Sequence, residues 1–226
     1  MKFLIPLLVL GLIFTSCKKD TNLVIPPPEK CEFIDFKYYQ NEPYFLGEMS
    51  NNYISLGFDS ILSNDGISSF INSWPTISET DLAIFPLNSS NNPYKTVIVK
   101  LNSTLECLKI QNVLNTLENE PSIKYANFTF KTEDCQSPIG QALGSKCVDY
   151  MGNSFSVRLH SANDKAKLDS IVNITNTRIL FQYSSGSYSV LADKHSNGNA
   201  LQMANRFHET NLFRWAEPGL GKIPVE

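Results

Sequence analysis

The sequence predicts an α+β fold: two tandem domains, each an antiparallel sheet covered by two helices. Two observations carry this. Apolar residues switch repeatedly between the two-residue period of a strand and the 3.6-residue period of a helix. The resulting order, strand-helix-strand-strand-helix-strand, runs along the chain twice, and Tyr125-Ala126-Asn127 near the end of the first pass is matched by Trp215-Ala216-Glu217 near the end of the second.

In the first pass, residues 52–59 (NYISLGFD) alternate as a strand. Asn64 or Asp65 then caps a helix whose Ile67, Phe70, Ile71 and Trp74 fall on one face, with Pro75 ending it. Residues 81–87 and 95–101 (KTVIVKL) read as two strands joined through Asn88 to Pro93. Ser103-x-x-Glu106 has the form of a capping box, opening a helix with Cys107, Ile110, Val113, Leu114 and Leu117 along one side. Pro121 bounds it, and 123–130 (IKYANFTF) closes the unit as a strand.

The second pass begins with the strand 154–160 (SFSVRLH), followed by a short helix marked by Leu168, Ile171 and Val172. Residues 178–183 and 188–192 form a hairpin around Ser184-Ser185-Gly186. Asn199-x-x-Gln202 starts a helix with Ala200, Met203, Ala204 and Phe207 inward, and 213–220 (FRWAEPGL) is the closing strand. Each unit is then a split β-α-β, or ferredoxin-like, arrangement. The expected organisation is residues 1–16 as a signal, 17–32 as a tether, 33–135 as the first domain, 136–147 as a linker and 148–226 as the second domain.

The N-terminus reads as an address. Met1-Lys2 is followed by an apolar run from Phe3 to Phe14, then by Thr15, Ser16 and Cys17. About a dozen apolar residues are too few to span a bilayer core, which needs about 20. The segment Ile13-Phe14-Thr15-Ser16-Cys17 resembles the bacterial lipobox, which implies cleavage before Cys17, lipid on its thiol and a mature chain held on a membrane. Lys18-Lys19-Asp20 resembles the short charged signal that sends some lipoproteins of Bacteroidetes-type bacteria to the outer cell surface, and reads equally as a solvated tether. Pro26-Pro27-Pro28 is a stiff, extended spacer. The expected location is the cell envelope, at the outer membrane.

Of 226 residues, 42% are hydrophobic and 18% charged, with a formal net charge of −3. Asn and Ser number 22 and 24, so the polar surface is built more from amides and hydroxyls than from charges. A chain without a basic block has no means of gripping phosphates, which argues against nucleic acid. Export places Cys31, Cys107, Cys135 and Cys147 in an oxidising compartment, where two disulfides are the default. Cys107 opens a helix and Cys135 follows the antiparallel strand after it, so Cys107–Cys135 is geometrically reasonable, leaving Cys31–Cys147; the local loop Cys135–Cys147 competes. No C-x-x-C pair occurs, and His160, His195 and His208 lie far apart in sequence, so neither a metal nor a cofactor is expected.

Residues 199–220 (NALQMANRFHETNLFRWAEPGL) resemble the end of the N-terminal prodomain in subtilisin-like serine peptidases of Bacteroidetes-type bacteria. Ala204-Asn205-Arg206-Phe207-His208-Glu209 and Trp215-Ala216-Glu217-Pro218 carry the resemblance, and Tyr38 to Glu42, Ser122 to Asn127 and Phe155 to Leu159 fit it more loosely. In that family the region precedes a catalytic domain, whereas this chain stops at Glu226 without a nucleophile segment, an Asp-Ser/Thr-Gly or a His-Gly pair. No triad is supplied, and the expectation is a protein that is not an enzyme. The resemblance implies a partner, a subtilisin-like peptidase, gripped in trans, with Trp215, Glu217, Pro218, Gly219 and Leu220 leading an extended tail toward its cleft. The reading placed ahead of it is a lipid-anchored protein-binding or structural module. Asp59-Ser60-Ile61 and Asp169-Ser170-Ile171 resemble the short pattern glycosylated on exported proteins of such bacteria, with Ser170 the poorer candidate because it falls inside a predicted helix.

Overall fold

The structure is a computed structural model that describes residues 30–78, 83–85, 93–136 and 140–225. The lipobox with Cys17, the Lys18-Lys19-Asp20 signal and the Pro26–Pro28 spacer lie outside the described residues. The fold is mixed α+β, with antiparallel sheets and a few helices. Its strands are β1 (Phe36–Tyr39), β2 (Glu42–Phe45), β3 (Met49–Asp59), β4 (Ala83–Phe85), β5 (Tyr94–Lys100), β6 (Ile123–Thr132), β7 (Cys147–Leu159), β8 (Arg178–Ser184), β9 (Ser187–Leu191) and β10 (Phe213–Pro224). Its helices are α1 (Asn64–Asn72), α2 (Cys107–Glu118), α3 (Lys165–Thr175) and α4 (Ala200–Glu209).

β1 and β2 form a small hairpin; the other strands make one 8-stranded sheet in the order β4-β5-β3-β6-β7-β9-β8, with β10 on β7. Two separate sheets were expected, and the length of β7 is the reason they are joined. Its first residues pair with the end of β6, Cys147 opposite Thr132 and Tyr150 opposite Thr129. Its later residues, Ser154 to Arg158, pair with β9. β10 runs along nearly all of β7 on the other side, from Phe213 opposite Leu159 to Pro224 opposite Cys147.

Alternation along the strands builds two helix-covered cores. Ile54, Leu56 and Phe58 of β3 and Val97 and Val99 of β5 meet Ile67 and Ile71 of α1 and Ile110, Leu114 and Leu117 of α2. Phe155, Val157 and Leu159 of β7 meet Leu168 of α3 and Ala200, Met203, Ala204 and Phe207 of α4. The intervening residues form the helix-free side, where the two halves bury side chains against each other. Tyr53 and Ile98 cluster with Val148 and Ile223, and Tyr94 and Tyr125 cluster with Leu191. Ser55 Oγ donates to the Met151 carbonyl at 3.1 Å, and Asn127 Nδ2 to the Gly152 carbonyl at 3.2 Å.

Local signals place most helix starts. Asn199 and Gln202 form the reciprocal capping box of α4, with N–O distances of 3.0 and 2.8 Å. α1 is capped one residue earlier than expected, by Ser63 Oγ accepting from Gly66 N at 3.1 Å. The Ser103–Glu106 box does not form: α2 starts at Cys107 with no side-chain cap, because Leu105 N donates to the Asn51 carbonyl and holds the preceding segment against the start of β3.

Candidate functional site

The residues singled out in the last helix and strand converge on the N-terminal hairpin. β1 and β2 are joined by Gln40 and Asn41, both left-handed at φ 51° and 67°, the geometry of a tight two-residue hairpin turn. The sequence shows little of this hairpin, because Gln-Asn is a weak turn signal and Pro43 speaks against a strand. In the register, Tyr39 pairs with Glu42 next to the turn, so Pro43 falls at the following, non-hydrogen-bonded position, where its missing N–H costs the pairing nothing.

α4 and β10 clasp the hairpin. Asn205, buried in α4, donates from Nδ2 to the Phe36 carbonyl at 3.0 Å. Tyr38 stacks on His208 with ring centroids 4.2 Å apart, and its hydroxyl donates to Glu209 Oε1 at 3.2 Å. Burial and the Glu209 carboxylate both push the Tyr38 phenol above its ordinary range. Lys37 of β1 reaches Glu217 of β10 at 3.3 Å. The polar members of the pattern Asn205-x-x-His208-Glu209 and Glu217 therefore hold this chain's own N-terminal segment. The far side of the hairpin stays free: Tyr39 at the end of β1 and Tyr44 and Phe45 of β2 are 48, 55 and 61% exposed. Tyr39 falls within the loosely matching stretch Tyr38 to Glu42, whereas Tyr44 and Phe45 carry no sequence signal, and their exposure emerges only from the hairpin.

The remaining site residues take varied positions. Ala216 packs in the second core, so its neighbours Trp215 and Glu217 project to the opposite, helix-free side. Pro218 is buried, while Gly219 and Leu220 are exposed at a register shift between Pro218 and Leu220. The free tail expected beyond Gly219 is instead strand: Gly221, Lys222, Ile223 and Pro224 pair with Tyr150, Asp149, Val148 and Cys147. Burying Ile223 against Tyr53, Ile98 and Val148 gives the end of the chain a reason to stay in the sheet.

Of the disulfide pairings the sequence allows, the local loop Cys135–Cys147 forms, and Cys107–Cys135 with Cys31–Cys147 does not. Cys31 joins Cys107, with Cα atoms 5.8 Å apart, and Cys135 joins Cys147 at 5.3 Å. Thr132 of β6 pairs with Cys147 of β7, so Cys135, three residues past Thr132, meets the first residue of β7 rather than the start of α2, where Cys31 bonds Cys107. Of the two short modification patterns, Ser60 sits in an exposed turn beside Ile61, which is 90% exposed, whereas Ser170 lies within α3 next to buried Ile171. Among the described residues no group of three or more His, Cys, Asp or Glu side chains is placed to hold a metal ion, and no helix is long and apolar enough to cross a membrane.

No family model and no curated protein matches the chain. Among solved structures, the small subunit of acetolactate synthase from Thermotoga maritima aligns with a TM-score of 0.27 and 10% identity, over 77% of this chain and 97% of that one. A likeness at that score carries no argument about fold or function.

Proposed function

We propose that this protein is a non-enzymatic cell-envelope lipoprotein, held on the outer membrane through lipid on Cys17, whose folded part is a protein-binding module. Its scaffold is two tandem ferredoxin-like units, a reading supported by the order in which each set of strands lies. Numbered along the chain within its own half, each runs fourth-first-third-second, as β6-β3-β5-β4 and as β10-β7-β9-β8. The single observation that carries the binding role is the hairpin: Tyr39, Tyr44 and Phe45 are held in the open on a two-stranded ribbon that is fixed from behind by Asn205, Tyr38–His208 and Lys37–Glu217. Exposed aromatic side chains on a rigid support are what a protein interface uses as anchors. Trp215, Glu217 and Leu220 lie on or beside the strand that supports the hairpin. A peptidase inhibitor with a product-like tail would need residues 219–224 free, and their pairing with β7 favours the module over that alternative.

The test has two arms. Radiolabelled palmitate incorporates into the wild type and is lost in Cys17→Ser; absence of label in the wild type removes the anchor. A photo-crosslinking residue at position 45, in cells, yields one discrete adduct with an envelope protein that disappears in Tyr44→Ser; no adduct removes the binding role. If the purified chain inhibits a subtilisin-like peptidase stoichiometrically, the inhibitor reading replaces the module.

A further inference from the structure

The helix layer contains a polar cavity between the two halves. Phe33 packs on Phe128 and Phe130, with ring centroids 5.4 and 5.5 Å away, and so fills part of the gap between α2 and α4. Beyond Glu32 the gap remains open as a cavity of about 280 Å³. Its floor is apolar, made by Leu114, Ala126, Phe128 and Ala192. One wall is the polar side of α2, and the other is the 193–202 segment that leads into α4.

The chemistry of the walls narrows what fits. The cation among the lining residues, Lys194, is already committed: its ammonium donates to the carbonyls of Glu118 and Glu120 at 3.2 and 2.9 Å. Phosphates and carboxylates would find no uncommitted positive charge here, and burying them unpaired is costly. Gln111 Oε1 is buried and has no hydrogen-bond partner. Gln111 Nε2 donates to Asn115 Oδ1 at 2.9 Å, which turns the Asn115 amino group into an available donor on the same wall. On the facing wall, Gln202 spends its oxygen on Asn199 N and keeps its amino group. Glu118 lends a second acceptor, since only its Oε1 is occupied, by Ala126 N at 3.1 Å. Acceptors and donors thus alternate over an apolar floor. An ammonium could serve the acceptors alone, whereas a hydroxyl both donates and accepts.

We propose that this cavity binds a small neutral polyol, one monosaccharide ring in size, with its hydroxyls on Gln111, Asn115, Glu118 and Gln202 and a C–H face on Leu114 and Phe128. The inference goes beyond the module role and stands whether or not the chain is anchored. Titration of the full chain in detergent with D-glucose, D-galactose, D-mannose and D-xylose, followed by amide chemical shifts, is the test. At least one sugar gives saturable shifts confined to residues 111–128 and 192–202. Gln111→Leu weakens that binding about tenfold through loss of the orphaned acceptor. Asn115→Leu, at an exposed position of α2, weakens it from the donor side without touching the core. Putrescine and inorganic phosphate serve as contrasting probes. The proposal is overturned if no sugar shifts these residues, if both variants bind like the wild type, or if putrescine or phosphate binds here more tightly than every sugar.

Discussion

At the scale of single residues, close approaches on the helix-free side decide what each position tolerates. Tyr125 of β6 lies flat over Gly57 of β3, and a Cβ built on Gly57 would sit 1.9 Å from the ring. The same ring is held at its hydroxyl by Thr96 Oγ1 at 2.6 Å, and burial pushes the phenol far above its ordinary range. The ring cannot move aside without losing that bond. Gly57→Ala should therefore destabilise the protein by about 2–3 kcal/mol, as overpacking in a dense interior does; urea unfolding at constant m-value measures it. Glu118 gives a pH prediction at the same scale. Burial raises its carboxyl above the ordinary 4.5, an effect only partly offset by the Ala126 N–H and by Lys194. The native state then keeps a proton that the unfolded chain releases, so this group's contribution to stability is complete below 4.5 and is lost as the pH rises through the native value. Glu118→Gln keeps an oxygen for Ala126 N and removes the titration. The variant should gain thermal stability relative to the wild type on going from acid to neutral pH, and an unchanged difference across that range refutes the assignment.

At the scale of elements, the two disulfides and the clasp do different work. Cys31–Cys107 spans 76 residues and Cys135–Cys147 spans 12. Loop-closure entropy ranks them at about 4.5 and about 3 kcal/mol, so Cys31→Ser/Cys107→Ser should lower the denaturation midpoint more than Cys135→Ser/Cys147→Ser. The first also pins the irregular segment before β1 that carries Phe33 between the two cores, which adds packing to the entropic effect. Asn205→Ala removes the bond to the Phe36 carbonyl; the expected outcome is a loss of about 1–2 kcal/mol, with faster amide exchange confined to residues 35–46. The same elements show what a sequence reveals. Alternation marked the strands 52–59, 95–101 and 123–130, and the Asn199–Gln202 box placed α4, because those signals are local. The hairpin at 36–45 was not legible, since its stability comes from Asn205, His208 and Glu217, about 170 residues away or more. The Cys31–Cys107 bond has the same character. The polar pattern around Asn205 was visible as a pattern, but the surface it holds in place is tertiary.

At the scale of the molecule, the question is whether the two halves behave as separate folding units. Parts of a chain with their own apolar cores can unfold independently when few contacts cross between them. Here several kinds of contact cross. β6 and β7 share a ladder from Thr129 to Thr132. The Tyr94 hydroxyl of the first half donates to Asp193 Oδ2 of the second at 2.8 Å. Lys194 closes the C-terminal end of α2 by donating to the carbonyl of Glu118, its last residue, and to that of Glu120 just beyond it. Tyr53 and Ile98 are buried on Val148 and Ile223, so opening the halves would expose apolar side chains of both. Each half would also leave buried hydroxyls and amides unpaired, among them Ser55 and Asn127, although water could then reach them. The apolar loss and the broken ladder outweigh that relief, and the halves should unfold as one. The chain's two tryptophans supply the measurement: Trp74 reports the first half and Trp215 the second. In Trp215→Phe and Trp74→Phe variants, fluorescence followed through a guanidinium titration should give transitions of equal midpoint and equal m, each matching the m of the whole chain by circular dichroism. Two separated midpoints would mean that the β6–β7 ladder and the Lys194 latch are too weak to couple the halves. Lys194→Met is the graded control: it removes one crossing contact and, with the halves still coupled by the others, should lower both midpoints together rather than one alone.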